Sequence, residues 1–219
     1  MIVLVVILVN FPSHSVAHDL SESGVCGDPP MLTRDLEREF KGRHESEAAI
    51  FAIEGLTLNK SRLSDVEAKF GPSTPASTFS DHDGISKCYK SPKWPDDPTI
   101  VTFIAGAAGG YKDLTGFELK SDSSAAAENC VTSSLIRDDL RTASGLRLGL
   151  SQPDAQRILG LGRPGADGIK RWFYTGEVPN TVAEAKRSGY TYYLKYSGVI
   201  ARFRDSKADC ISVFRVESY

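Results

Sequence analysis

Two stretches of the chain place apolar residues along one side of a helix, and both are bounded in the same way. Leu63, Val66 and Phe70 fall on one helical face, Ser61 stands where a cap belongs, and Gly71 follows. Ala155, Ile158 and Leu159 repeat the pattern behind Ser151, Pro153 and Asp154, with Gly160 at the end. A capping hydroxyl, an early acid or proline, and a glycine just past the last apolar residue are the start and stop signals of a short helix. A third, weaker pattern joins Leu36 and Phe40 behind Thr33 and ends at Gly42. Elsewhere the period shortens to two. Residues 85–89, 99–104, 114–119, 169–174, 190–196, 199–204 and 211–217 are rich in β-branched and aromatic types, and these runs predict strands.

The order of these elements repeats. Gly55-Leu56-Thr57-Leu58 is echoed by Gly145-Leu146-Arg147-Leu148, and each precedes one of the two better helices. Pro75 and Pro164 follow at matching distance, then Asp83-Gly84-Ile85 and Asp167-Gly168-Ile169. The pattern predicts an α+β protein of two tandem units, each a helix plus an antiparallel sheet, with the helices packed on one sheet face. Residues 46–121 form the first unit, 122–134 a Ser/Ala-rich linker, and 135–219 the second. Residues 18–45 make an N-terminal leader carrying the Thr33 helix.

The first seventeen residues read as a signal peptide. An apolar run at 2–9 precedes Ser15-Val16-Ala17, which puts small residues where a signal peptidase reads, although no Lys or Arg comes before the run. Cys26 lacks the aliphatic residue just upstream that a lipoprotein signal carries. Export makes the four cysteines, Cys26, Cys88, Cys130 and Cys210, candidates for two disulfides among three connectivities. Cys88 with Cys130 flanks the first predicted sheet, and Cys26 with Cys210 would then tie the leader to the last strand. The expected location is periplasmic or secreted.

Composition narrows the function. The chain of 219 residues is 41% apolar and 25% charged, with a formal net charge of −2. That is ordinary globular composition, without the basic excess of a nucleic-acid binder. No stretch approaches the roughly 20 apolar residues that span a bilayer. Gly160-Leu161-Gly162-Arg163-Pro164-Gly165 matches a dinucleotide spacing but closes a predicted helix instead of opening one, so its amides do not face a pyrophosphate. Asp81-His82-Asp83 reads as a polar loop before a turn, because the second copy keeps Asp-Gly and drops the histidine. No Cys/His spacing marks a metal site, no glycine-framed serine marks a nucleophile, and no cofactor motif remains. The reading is non-enzymatic.

Half of the aromatic residues lie at or after Trp172. Tyr190, Tyr192, Leu194 and Tyr196 alternate with Thr191, Tyr193 and Lys195. Val199, Ala201 and Phe203 alternate with Ile200, Arg202 and Arg204, and Phe214 and Val216 with Val213 and Arg215. A sheet with helices on one side leaves its other side open. The predicted open face carries Tyr193, Lys195, Arg202, Arg204 and Arg215, with Lys170 or Arg171 nearby. Tyrosine and arginine are the types that supply binding hot spots.

The order Gly-Leu-x-Leu-Gly-Leu-Ser at 145–151, helix, Leu159-Gly160, Pro164 and strands resembles the unit of the BamE-like outer-membrane assembly lipoproteins. Two such units in one exported chain with paired cysteines resemble the tandem β-lactamase-inhibitory proteins. The resemblance covers roughly residues 50–219. It implies helices on an antiparallel sheet whose open face binds another envelope or secreted protein. The alternative is a hydrolase or ligand-binding protein with a cleft between the units, bordered by residues 81–83 and 177–189.

Overall fold

The computed structural model describes residues 26, 48–73, 84–106, 110, 112–164, 168–181, 183, 186, 189 and 191–218. The expected signal peptide, the expected Thr33 helix and the Asp81–Asp83 triplet lie outside these residues. The described chain opens with a short 3-10 turn, Ala48–Phe51, and a two-residue hairpin, β1 (Ala52–Ile53) with β2 (Leu56–Thr57). Helix α1 (Leu63–Phe70) follows, then β3 (Gly84–Lys90), β4 (Thr99–Gly106) and β5 (Gly116–Ser121). A 3-10 turn, Ala125–Asn129, leads to β6 (Val131–Thr132). Helix α2 (Gln152–Leu159) precedes β7 (Arg163–Pro164), β8 (Ile169–Pro179), β9 (Tyr192–Arg204) and β10 (Lys207–Ser218).

The helices stop and start where the local chemistry directs. Ser151 caps α2: its hydroxyl accepts from the Asp154 amide at 3.3 Å and donates to the Asp154 carboxylate at 2.6 Å. At α1 the cap falls on Arg62, whose amide donates to the Asp65 carboxylate at 2.8 Å, while Ser61 turns back to accept from the Thr57 amide. Gly71 and Gly160 end the helices at positive φ, 105° and 78°. Each helix end is then tied to a strand. The Tyr89 hydroxyl donates to the Gly71 carbonyl and the Trp172 indole to the Gly160 carbonyl, both at 2.9 Å.

Eight strands form one continuous sheet in the order β6-β3-β4-β5-β10-β9-β8-β7. Every pair is antiparallel except β3 with β6. This overturns the expected architecture of two helix-plus-sheet units. The described part is mostly β, and its two fully described helices, of eight residues each, stand beside a single large sheet and the small β1–β2 pair. The cause is the pairing of β5 with β10, from Gly116 opposite Phe214 to Lys120 opposite Cys210. Two separate sheets would each leave a row of backbone donors and acceptors unpaired at that point. Joining them satisfies both rows.

One apolar core runs along one face. Leu63, Val66 and Phe70 of α1, Ala155 and Leu159 of α2, and Phe51 pack with Val101, Phe103, Phe117, Trp172, Val199 and Val213 in a single cluster. Phe70 lies 5.3 Å from Tyr89 and 5.0 Å from Phe103 between ring centroids. Lys87 is buried at this end, where its ammonium donates to the Glu67 carboxylate at 2.8 Å and also meets the Ser73 carbonyl.

The opposite face differs from the open polar surface that the sequence predicts. Phe173, Ile200 and Phe214 are buried there, with Ile169 and Tyr196 packed against them. The Phe173, Tyr196 and Phe214 rings stand 5.3–5.9 Å apart. Two disulfides brace the sheet, Cys26–Cys210 with Cα atoms 5.5 Å apart and Cys88–Cys130 with 4.8 Å. This pairing is the one the sequence favoured. Two bridges fit an oxidising compartment such as the periplasm or the cell exterior. Among the described residues no helix is long and apolar enough to cross a membrane.

Candidate functional site

The charged part of the outer face is built by the β8–β9–β10 meander and its short neighbour β7. Strand β9 is thirteen residues long and turns into β10 through Asp205 and Ser206, both at positive φ (48° and 63°), as a tight two-residue hairpin requires. Side chains alternate along a strand, and residues directly opposite on neighbouring strands share a face. Tyr196, Ile200, Arg202 and Arg204 therefore share one side of β9, while Val199, Ala201 and Phe203 enter the core on the other. Arg171 lies opposite Ile200, and Arg163 opposite Arg171, which brings both to the same side as Arg202 and Arg204.

Asp209 organises the pair on β9. The register of β10 slips between Ala208 and Cys210, so Asp209 stands in a bulge. Its carboxylate accepts two hydrogen bonds from Arg202, Nε to Oδ1 and Nη2 to Oδ2, each at 2.9 Å. Arg204 Nε approaches Oδ2 at 3.2 Å. Asp209 and Arg202 are mostly covered, with side chains 20% and 18% exposed, whereas Arg204 is 69% exposed. A two-point carboxylate–guanidinium bond fixes the plane of Arg202, which a lysine at that position cannot reproduce.

The five residues singled out from the sequence do not share a surface. Arg202 and Arg204 come together. Arg215 follows Ile211 and Val213 to the core side, where its guanidinium lies 5.6 Å from the Phe51 ring centre. Lys195 takes the phase of Val199, on the side away from Arg202, with its Cα opposite Gly176 and Glu217. The Tyr193 backbone pairs with Val178, and its side chain lies outside the described part. The misplacements have separate sources. For Lys195, a turn near Ser197-Gly198 would reverse the alternation, but both residues lie inside β9. For Arg215, the faces of β10 are exchanged: Val213 and Arg215 take the core side and Phe214 joins the outer cluster. Asp209 and Arg163 were missed. Asp209 is findable from the Asp205-Ser206 turn, which folds β10 back along β9, while Arg163 lay within a glycine motif rejected for other reasons.

The remaining candidates read as structural. Helix α2 ends at Gly160 and Arg163–Pro164 is a strand, so among the described residues no helix N-terminus opens from the glycine-rich segment. Glu118 sits within 4.8 Å of the Cys26 and Cys210 sulfurs, but those sulfurs are joined to each other and supply no thiolate ligands. The Lys87–Glu67 pair clamps α1 to β3. No family model, curated protein or solved structure matches this chain.

Proposed function

We propose that this chain is an exported, non-enzymatic protein-binding module that receives its partner on the outer face of the sheet, at the β7–β8–β9 corner. The single observation that supports the reading is the Arg202–Asp209–Arg204 arrangement: two guanidinium groups oriented by one carboxylate on a broad, disulfide-braced sheet. Arginine is enriched among residues that dominate binding energy. A side chain already held in place loses less conformational freedom when a partner arrives. The resemblance to BamE-like and β-lactamase-inhibitory proteins, whose sheets bind other proteins, extends the reading to a partner in the envelope or secreted space.

Site-directed photocrosslinking tests it. A photoreactive residue at position 204 should form an adduct with a discrete partner in an envelope extract, and the same residue at the exposed position 137 should not. Equal labelling from both positions, or none from position 204, overturns the assignment of this face.

A further inference from the structure

The turn between β2 and α1 serves the fold with its backbone and leaves one side chain unused. Asn59-Lys60-Ser61 has the spacing at which an exported chain accepts an N-linked sugar: asparagine, any residue but proline, then a hydroxyl. None of the chain's other asparagines has serine or threonine two positions on. The turn holds this triplet at the surface. Leu58 and Leu63 are buried on either side of it, while Lys60 and Arg62 are exposed. Asn59 has a φ of 61°, in the left-handed region that asparagine tolerates better than most side chains. Its backbone is fixed. The Asn59 amide donates to the Leu114 carbonyl at 2.8 Å, and the Lys60 and Ser61 amides both donate to the Thr57 carbonyl. Its side chain is partly exposed, and the carboxamide makes no hydrogen bond among the described residues. The Ser61 hydroxyl is not the cap of α1. It accepts from the Thr57 amide at 3.0 Å, and the cap falls on Arg62.

We propose that Asn59 is an N-glycosylation site, modified as the chain passes through the oxidising compartment in which its two disulfides form. The proposal rests on export and not on the identity of the partner. The co-reactant is an oligosaccharide linked to a lipid diphosphate. The Asn59 carboxamide nitrogen forms the new bond to the anomeric carbon of the donor's first sugar. The bond from that carbon to the diphosphate oxygen breaks, the lipid diphosphate leaves with the electron pair, and one carboxamide proton passes to a base of the transferase. Nothing is oxidised or reduced. The folded chain then has to house the sugar, and the turn does so in three ways. The carboxamide has no described partner to give up. Its neighbours Lys60 and Arg62 reach solvent. The turn also lies on the core side of the sheet, where Leu58 joins the cluster beneath the helices, whereas the outer cluster with Ile200 is on the opposite face beside Arg202 and Arg204. A glycan is bulky and hydrophilic, so at Asn59 it shields the helix layer and leaves the β7–β8–β9 corner open.

The test takes the exported chain from its natural source and weighs it, whole and as the peptide containing Asn59, before and after digestion with a peptide N-glycosidase. That enzyme removes the sugar and leaves aspartate in place of the carrier asparagine. The chain should exceed its mature, disulfide-bonded mass by a discrete oligosaccharide, lose that excess on digestion, and show the conversion at Asn59. Variants made in the same secreting cell locate the site. Asn59→Gly suits the positive φ and removes the acceptor, Ser61→Ala removes the hydroxyl, and Ser61→Thr keeps one. The first two should lose the sugar entirely and the third should keep it. An unmodified Asn59 in the exported chain overturns the proposal, and so does a sugar mass that survives in Asn59→Gly. Where Asn59→Gly fails to fold, equal modification of Ser61→Ala and Ser61→Thr overturns it instead. The protein-binding reading stands separately, because crosslinking from position 204 should be the same with and without the sugar. A crosslink that requires the sugar would overturn its placement away from the docking corner.

Discussion

Gly198 lies at the centre of the outer aromatic cluster, and its replacement by alanine tests whether that cluster is as closely packed as the structure shows. A Cβ added there would stand 2.5 Å from Phe173 Cδ1, 2.7 Å from Phe214 Cζ and 2.8 Å from the Trp172 carbonyl oxygen. Ordinary carbon contacts begin near about 3.5 Å, so each neighbour would have to retreat by up to about 1 Å. The Trp172 carbonyl belongs to the β8–β9 ladder, in which Phe173 faces Gly198, and cannot retreat without breaking register. The two phenylalanine rings press on each other and on Tyr196. Forcing a methyl into such a site costs about 1–3 kcal/mol. At about 2–4 °C per kcal/mol for a chain of this size, the thermal midpoint should fall by about 2–12 °C. Gly176→Ala is the control, because nothing lies within 4 Å of its added Cβ. That variant should be unchanged or gain up to about 1 kcal/mol from a stiffer unfolded chain. Thermal unfolding of the oxidised protein, followed by near-ultraviolet circular dichroism, reads both. Equal losses in the two variants, or a Gly198→Ala midpoint within about 1 °C of wild type, would refute the packing argument.

Further outcomes follow from the bridges and the titrating groups. Cys88–Cys130 closes 42 residues, so replacing both cysteines by serine should cost about 4 kcal/mol in urea unfolding. A midpoint insensitive to reductant would contradict this. The Glu67 carboxyl is held below its ordinary value of 4.5 by the hydrogen bond from Lys87, helped by the Ser73 amide. A depressed carboxyl stabilises the fold above its unfolded pKa, and this contribution disappears as the pH falls through the lower folded value. Glu67→Gln should therefore flatten the acid limb of a stability–pH curve below about pH 4.5, and an identical limb in the variant would count against the Lys87 clamp. Burial pushes the Tyr196 phenol up to about 12, and its hydroxyl has no hydrogen-bond partner among the described residues. The unfolded tyrosine loses its proton first, so stability should drop as pH rises from about 10 towards 12, and Tyr196→Phe should remove that drop with no loss at neutral pH. A Tyr196→Phe variant destabilised by more than about 1 kcal/mol at pH 7 would show that the hydroxyl has a partner after all.

Local chemistry was the legible part of this fold. The Ser151 cap, the terminal glycines and the Leu63–Val66–Phe70 face depend on residues a few positions apart, and the sequence displays them directly, whereas the first cap fell on Arg62 and not on the expected Ser61. The Cys88 and Cys210 partners were legible because only a few pairings are possible and each flanks a strand. The joining of β5 to β10 was not legible, since it pairs residues 116–120 with residues 210–214 and nothing local demands it. Gly198 shows the same limit on a smaller scale. A glycine within a period-two run marks either a turn or a close approach of neighbours, and the run alone does not say which. Here Phe173 and Phe214 fill the space a side chain would need, so the strand continues, and Lys195 keeps the phase of Val199 instead of joining Arg202.

The bulge at Asp209 links the core, the bridge and the charged corner. Ala208 lies opposite Phe203 and enters the core, and Ile211 lies opposite Ala201 and enters it too, although three positions separate them on one strand. A regular strand cannot send both inward, because positions three apart point to opposite faces. One inserted residue restores the phase. It brings Cys210 to the outer face opposite Arg202, where it joins Cys26, and it frees the Asp209 carboxylate from the ladder to reach both β9 arginines. Deleting Asp209 would leave Ala208 and Ile211 two positions apart, so a regular strand keeps both inward and Cys210 outward; what is lost is the bulge and, with it, the carboxylate that holds Arg202 and Arg204. The Asp209→Asn change keeps the bulge and only weakens the hold on Arg202 and Arg204. Comparing the two separates the structural duty of this residue from its part in presenting the arginines.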